Sequence, residues 1–221
     1  MEQDAHSAKT RRDIYALIAN LLLKRPEAKG FPVLAEELAV LLSAFGESRE
    51  GLDSLMARHE FVKNTEQEYY DVFFVPKSGH YVPPYVSSLM SYTPGKKKPF
   101  GLLDPVQSSR IQAIYDSFGF NPHNLEIFSP WRQVGAADHI GFCFALMANL
   151  CEAENLEKNS EIAETWRTSQ TRFLKEELLP CLPNFEMALS QAKAPFYSTL
   201  GRAAHLWACY DITASTDIAE Q

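Results

Sequence analysis

The sequence predicts an all-α protein, a single helical domain of about nine or ten helices. Apolar residues recur at helical spacing through most of the 221-residue chain, and prolines, glycines and capping residues separate these segments. No segment alternates apolar and polar residues for long enough to indicate a strand. We therefore treat residues 1–221 as one domain, with residues 1–6 expected to be flexible.

The first helix is expected over residues 8–24, where apolar side chains occur on almost every side. Such a helix belongs in the centre of a fold. Arg11 and Arg12, followed by an apolar run, superficially resemble a twin-arginine export signal. A basic segment ending in a proline follows directly, and no small-residue cleavage site is present. We therefore interpret this segment as a buried helix.

The next three segments have recognisable ends. A second helix should begin at Pro32 and end at Gly46, a residue type that suits the position after a helix. A short helix is expected over residues 49–59. Thr65 and Glu68 have the spacing of a capping box, which predicts that a fourth helix begins at Thr65.

Aromatic residues are concentrated in residues 66–89. Pro76 disfavours helical geometry in the residue before it, so the helix should end at Val75. Pro83 or Pro84 should occupy the first turn of the following helix. These aromatic side chains either fill a core or form the rim of a groove for a peptide or ligand. The helix carries Tyr69, Tyr70, Phe73 and Phe74.

The second half of the chain continues the helical pattern. Asp104 as N-cap and Pro105 at the first helical position predict a helix that reaches Phe118 and closes at Gly119. Residues 120–135 are expected to form a long connection, of a kind that is often functional. Further helices are expected over residues 136–158, 161–178 and 196–211, with a short helix between the last two.

Composition limits the function classes. Hydrophobic residues make up 46% of the chain and charged residues 22%, as in an ordinary globular domain. The net charge of −7 argues against a nucleic-acid partner held through phosphates, and no apolar run is long enough to span a membrane. The cysteines form no CxxC pair or zinc-ligand spacing, so buried thiols in a reducing compartment are expected. They are Cys143, Cys151, Cys181 and Cys209.

Residues 93–104 should form an exposed loop. Gly95 and Lys96 invite comparison with a phosphate-binding loop, but Met90 and Lys97 occupy the positions where that motif needs Gly and Ser or Thr. We therefore reject the motif. The three adjacent lysines leave weak contact with an anion or nucleotide open, and no cofactor is otherwise expected.

Asp138 and His139 stand where a helix is expected to begin. A carboxylate in the first turn is stabilised by the helix dipole by about 0.3–1 kcal/mol, which requires no further function. His139 near the positive end would tend to stay neutral. Neighbouring helical residues point in different directions, so each must meet its own partner.

Three motifs stand out in the sequence: Tyr70-x-x-Phe73-Phe74-x-Pro76, Pro83-Pro84-Tyr85-x-Ser87, and Asp138-His139-Ile140. Together they resemble the TorD/DmsD/NarJ family of cytoplasmic chaperones, which mature molybdenum-containing redox enzymes. Residues 11–26 are also similar to the family's first helix. Val86 stands where the family usually has an acidic residue, and Gly135-Ala136-Ala137 replaces its acidic residue and proline.

The resemblance implies a chaperone, and not an enzyme, that binds the twin-arginine signal peptide of a molybdoenzyme precursor. It also implies assistance with molybdenum cofactor insertion and with export proofreading. Asp138 would meet a leader arginine, and Phe73, Phe74 and Tyr85 would meet its apolar segment. Whether the protein is a monomer or a domain-swapped dimer is left open. The peptide-binding residues implied are Tyr70, Phe73, Phe74, Pro76, Pro84, Tyr85, Ser87, Asp138 and His139.

Two alternatives from other classes remain. One is a helical interaction module with an unrelated client. The other is a helical metal-dependent hydrolase, in which His123, Asp138 and His139 would converge. The sequence contains no nucleophile elbow, zinc motif or dinucleotide fingerprint that would favour an enzyme.

Overall fold

The computed structural model describes residues 7–219, and the side chains of residues 7–214. This part of the chain forms eleven α-helices and no strand, which confirms the all-α fold class. The expectation for residues 1–6 lies outside the described residues. The helices are α1 (Ala8–Leu23), α2 (Phe31–Ala44), α3 (Glu50–Met56), α4 (Phe61–Phe73), α5 (Val86–Met90), α6 (Pro105–Ser117), α7 (Ser129–Val134), α8 (Ile140–Leu156), α9 (Ser160–Phe173), α10 (Leu182–Gln191) and α11 (Pro195–Ala219).

The centre of the fold is the pair α1 and α8, which pack along one another more extensively than any other two described helices. Tyr15 and Ile18 of α1 are fully buried, as are Phe144 and Met147 of α8. On the outer side, α9 packs on α8, and α10 packs on α11. The expectation of a buried first helix is therefore correct.

The two adjacent arginines of α1 have opposite environments. Arg11 is 0% exposed, and its Nη1 donates to Gln170 Oε1 of α9 at 2.5 Å. Its Nη2 also forms an ion pair with Glu154 of α8. Arg12 lies near the surface and pairs with Asp13 through its Nη2, at 2.6 Å from Oδ1. Arg11 therefore joins α1 to α8 and α9 inside the fold, in agreement with the expectation of a buried helix.

The capping-box prediction is wrong, because α4 begins four residues earlier, at Phe61. The ring of Phe61 packs on Phe31 and Phe196 at centroid distances of 5.7 and 6.1 Å, and this packing favours a helix that includes it. Thr65 lies inside α4 and donates its hydroxyl to the Phe61 carbonyl at 2.9 Å. Glu68 instead accepts from the Tyr197 backbone N–H at 2.9 Å, in the first turn of α11.

The helix ends around the prolines also differ from expectation. The helix α4 ends at Phe73, two residues before Val75, with Phe74 as its C-cap. Pro83 and Pro84 precede α5, which begins at Val86, so neither lies in a first helical turn. The reason for the second difference is tertiary: the Pro84 carbonyl accepts a hydrogen bond from the Ile140 N–H at 2.8 Å.

Residues 120–135 contain more structure than the predicted connection. They include a 3₁₀ turn at Pro122–Asn124 and helix α7, which is anchored by the buried ring of Trp131. The helix α8 begins at Ile140 and not near Ala136, because Gly135 adopts a left-handed conformation with φ 66° and an irregular segment follows it.

The remaining differences concern helix lengths and one cysteine. The helix α9 ends at Phe173 and continues as a π-helical turn over Leu174–Leu178, whereas α11 extends to Ala219. Cys209 is exposed, against the expectation of four buried thiols, while the other three cysteines are buried. In the described part of the chain, no helix combines the length and hydrophobicity needed to cross a bilayer.

Candidate functional site

The second and third motifs meet as a pair of short extended segments. Tyr85 and His139 form an isolated antiparallel bridge. The Val86 N–H donates to the Asp138 carbonyl at 2.9 Å, and the Ile140 N–H donates to the Pro84 carbonyl at 2.8 Å. We call this the Tyr85–His139 bridge. It fixes the loop before α5 to the segment that begins α8.

Asp138 reinforces the bridge through its side chain. Its Oδ2 accepts from the Ser87 N–H at 3.1 Å and from the Ser87 hydroxyl at 2.6 Å. The Ser87 Oγ in turn accepts from the Asp104 N–H at 3.2 Å, at the N-cap of α6. Asp138 is 1% exposed, and its Oδ1 has no hydrogen-bond partner among the described residues. Asp138 therefore binds Ser87 of its own chain and is not available at the surface.

His139 is the N-cap of α8, so Asp138 lies before the helix and not in its first turn as predicted. The His139 Nδ1 accepts from the Gly141 N–H at 3.1 Å, which leaves the proton of the neutral ring on Nε2. Burial lowers the pKa of His139 to about 3. The expectation of a neutral histidine is therefore correct, but the cause is desolvation and not the helix dipole.

An aromatic cluster surrounds this bridge. Trp131 of α7 lies 4.3 Å from the His139 ring and 4.2 Å from the Phe74 ring, between centroids. Its Nε1 donates to the Tyr69 hydroxyl at 2.6 Å, and that hydroxyl donates to the Leu22 carbonyl at 3.2 Å. The cluster therefore connects α1, α4, α7 and α8. It consists of Tyr69, Tyr70, Phe73, Phe74, Phe128, Trp131, His139 and Tyr197.

Three of the nine implied peptide-binding residues are accessible. Tyr70 and Phe74 are half-buried, and Pro76 is exposed. The remaining six are buried, so direct contact with a peptide would require a local rearrangement, such as opening of the Tyr85–His139 bridge for the five residues next to it. The buried residues are Phe73, Pro84, Tyr85, Ser87, Asp138 and His139.

A surface cavity of about 720 Å³ adjoins the accessible edge of the cluster. Phe128 belongs both to the cavity lining and to the cluster, and the Arg25 guanidinium lies 5.7 Å from its ring centroid. Sequence reasoning identified neither Phe128 nor Arg25. The Ser129-Pro130-Trp131 segment in a long predicted connection was the only available signal for this region. The cavity lining includes Asn20, Lys24, Arg25, Phe31, Phe128 and Arg132.

The proposed convergence of His123 with Asp138 and His139 is not observed as a metal site. His123 lies exposed in the 3₁₀ turn, whereas the other two are buried. Among the residues that the structure describes, no three His, Cys, Asp or Glu side chains are grouped so that they could hold a metal ion.

Comparison with protein families identifies the chain. The family model of the nitrate reductase delta subunit matches residues 34–187, well over half of the sequence. The chain belongs to this family. The match includes all three motifs, which confirms the resemblance to the TorD/DmsD/NarJ chaperones. The nitrate reductase delta subunit family is one of molybdoenzyme maturation chaperones and not of enzymes, and its members bind molybdoenzyme catalytic subunits. No curated protein and no solved structure matches the chain.

Proposed function

We propose that this protein is a cytoplasmic chaperone that binds the twin-arginine leader of a molybdoenzyme precursor and assists its maturation. The observation that carries the proposal is the family match, because it covers both segments of the Tyr85–His139 bridge and most of the aromatic cluster. Binding without turnover fits a site that consists of aromatic packing and backbone hydrogen bonds. Cofactor insertion and export proofreading are two uses of the same bound state.

The accessible edge of the aromatic cluster is the proposed contact for the leader. Tyr70 and Phe74 are half-buried and pack on Phe128, which lines the 720 Å³ cavity, and Pro76 is exposed two residues after Phe74. Aromatic side chains held rigidly at such an edge gain contact area with little loss of conformational entropy. The buried motif residues support this edge, since Trp131 packs directly between Phe74 and His139.

Asp138 has a positioning role in this proposal. Its Oδ2 already accepts two hydrogen bonds from Ser87, and water is excluded from it. A leader arginine could replace Ser87 only if the bridge opened. Asp138 therefore holds the loop before α5 in place beside the accessible edge.

The test is calorimetric titration of a synthetic leader peptide, with two adjacent arginines and a following apolar segment, into the wild-type protein and Phe74→Ala. We expect the wild type to bind, and Phe74→Ala to lose about tenfold in affinity, or about 1.4 kcal/mol. Phe100→Ala is the matched control, because Phe100 is also partly buried and stacks on Tyr92 outside the cluster. Thermal unfolding of each variant shows whether its fold is retained. Absence of wild-type binding would refute the proposal.

The variant Asp138→Asn tests whether Asp138 holds the loop before α5 in place or contacts the leader directly. If Asp138 only holds the loop, the variant should be less stable, and its affinity should fall with salt as steeply as that of the wild type. If Asp138 meets an arginine directly, the salt dependence itself should become weaker. The second result would contradict the positioning role.

A further inference from the structure

A second surface lies between α1 and α2, outside the three motifs. It is a groove of about 640 Å³ whose accessible lining is almost entirely apolar. We call it the α1–α2 groove. Its apolar lining includes Ile14, Leu17, Val33, Val40, Leu41 and Ala44.

The exposed side chains of this groove are unusual for a surface helix. Val33 is 62% exposed and Val40 is 57% exposed, although a surface helix normally presents polar residues to solvent. They are seven residues apart, so both lie on the same face of α2, with Leu41 forming part of the floor. The lining from Val33 to Ala44 extends about 16 Å along the helix axis. A groove of about 16 Å is long enough to hold a short apolar segment of a partner chain.

All charged residues that line the groove are acidic: Asp13, Glu36 and Glu37. Asp13 pairs with Arg12 and Glu36 with Arg49, at 2.6 and 2.8 Å, but these are exposed pairs of little net stability. Either carboxylate can therefore exchange its partner for an incoming cation.

Glu37 forms no hydrogen bond or ion pair with any residue described in the structure. It lies between Val33 and Val40 in sequence, on the same stretch of α2. A cation bound here would thus be placed next to apolar surface. The groove combines an apolar floor with carboxylates at its edge.

We propose that the α1–α2 groove binds the apolar segment of the leader, with the adjacent arginines meeting Glu37, Glu36 and Asp13. This inference rests on the proposed function and names the chemistry of its partner. The charges favour a basic partner, and in a symmetric pairing of two copies through this face the same carboxylates would repel one another. Val33 also lines the cavity beside the aromatic cluster, so one bound peptide can extend from the groove to the accessible edge.

The test uses a synthetic peptide with two adjacent arginines followed by about 7–15 apolar residues, titrated into the full-length protein. In Val33→Gln/Val40→Gln the fold should persist, because both side chains are exposed and glutamine favours helix. We expect this double variant to bind the peptide at least tenfold more weakly. Leu102→Gln, at a highly exposed apolar residue outside the groove, should bind as the wild type does.

A second pair of variants tests the charges. Glu36→Gln/Glu37→Gln should weaken binding about tenfold and reduce its dependence on salt. Glu161→Gln/Glu164→Gln, at two exposed positions on α9, makes the same change in net charge and should leave the affinity within about twofold of the wild type.

The outcomes distinguish the two proposals. If the wild type binds the peptide and the groove variants bind equally well, the inference is wrong and the chaperone function stands. If the wild type does not bind, the proposed function and this inference both fail. Sedimentation that shows a wild-type dimer, dissociated by Val33→Gln/Val40→Gln, would assign the groove to a second copy of the chain and overturn the inference.

Discussion

At the scale of single residues, His139 is the clearest case of a side chain that its environment controls. It is 1% exposed, its Nδ1 accepts from the Gly141 N–H, and three aromatic rings surround it. Burial therefore lowers its pKa to about 3. In the unfolded chain the pKa of histidine is about 6.5. Below about pH 6.5 this histidine is therefore protonated in the unfolded state, whereas in the folded state it stays neutral.

This difference predicts a loss of stability in acid. The contribution of the neutral His139 is complete above about pH 6.5 and declines as the pH falls towards 3, by about 2 kcal/mol between pH 7.5 and pH 5. His139→Asn keeps an N-capping side chain but cannot titrate, so its free energy of unfolding should decline less over this range. Urea denaturation at the two pH values measures the difference. His123→Asn, at an exposed histidine, should decline as the wild type does.

The titration of Glu68 changes the free energy of unfolding with pH in the opposite direction to that of His139. The test therefore compares a variant with the wild type. Burial raises the pKa of Glu68 to about 7, although the Tyr197 N–H donates to its carboxylate. The folded state therefore holds a proton between about pH 4.5 and 7 that the unfolded state releases. Stability from this group is lost as the pH rises through 7. The total pH dependence is a sum in which the two groups oppose each other.

At the scale of helices, α1 is held by a polar network as well as by apolar packing. Arg11 connects α1 to Glu154 of α8 and Gln170 of α9, and Tyr15 donates to Asp211 of α11 at 2.6 Å. Each of these groups would be costly to bury alone. The network therefore fixes how four helices are aligned.

The adjacent arginines provide a matched test of this network. Arg11→Met should lower the free energy of unfolding by about 3–5 kcal/mol, because it removes the fully buried guanidinium that pairs with the buried Asp211 and the partly buried Glu154. Arg12→Met removes an arginine from the same helix turn but only breaks pairs near the surface, so its cost should be below about 1 kcal/mol. Chemical denaturation measures both. Equal costs would show that the network does not stabilise the fold.

At the scale of the whole molecule, the described residues form one continuous hydrophobic core. Helices distant in sequence pack together in it, as α1 does with α8, and α11 with α2 to α4. The aromatic cluster shares side chains with this core, since Tyr69, Phe73, Trp131 and Tyr197 are buried. The candidate site is thus part of the folding unit and not an appended loop.

We therefore expect the protein to unfold in one cooperative transition. Circular dichroism reports all helices, whereas fluorescence reports Trp131 in α7, Trp166 in α9 and Trp207 in α11. In a two-state transition the two signals change at the same denaturant concentration. A fluorescence change that precedes the loss of helix would divide the chain into separately folding parts and contradict the single domain.

The sequence determined the fold class and most of the helices, because helical periodicity, prolines and caps are local properties. Asp104 is the N-cap of α6, and its side chain accepts from the Val106 N–H as the sequence predicted. Gly46 and Gly119 adopt left-handed conformations just after helices, also as expected. The three family motifs were likewise readable in the sequence. Each of these features depends on a few neighbouring residues.

Only the tertiary structure decided where the motif side chains point. The capping box at Thr65 gave way to aromatic packing by Phe61, and Glu68 caps a helix more than a hundred residues away. Asp138 was predicted in the first turn of a helix, but it lies before α8, where it is buried and accepts hydrogen bonds from Ser87, 51 residues earlier in the chain. Burial and partners depend on which distant segments meet, and local spacing does not contain that information.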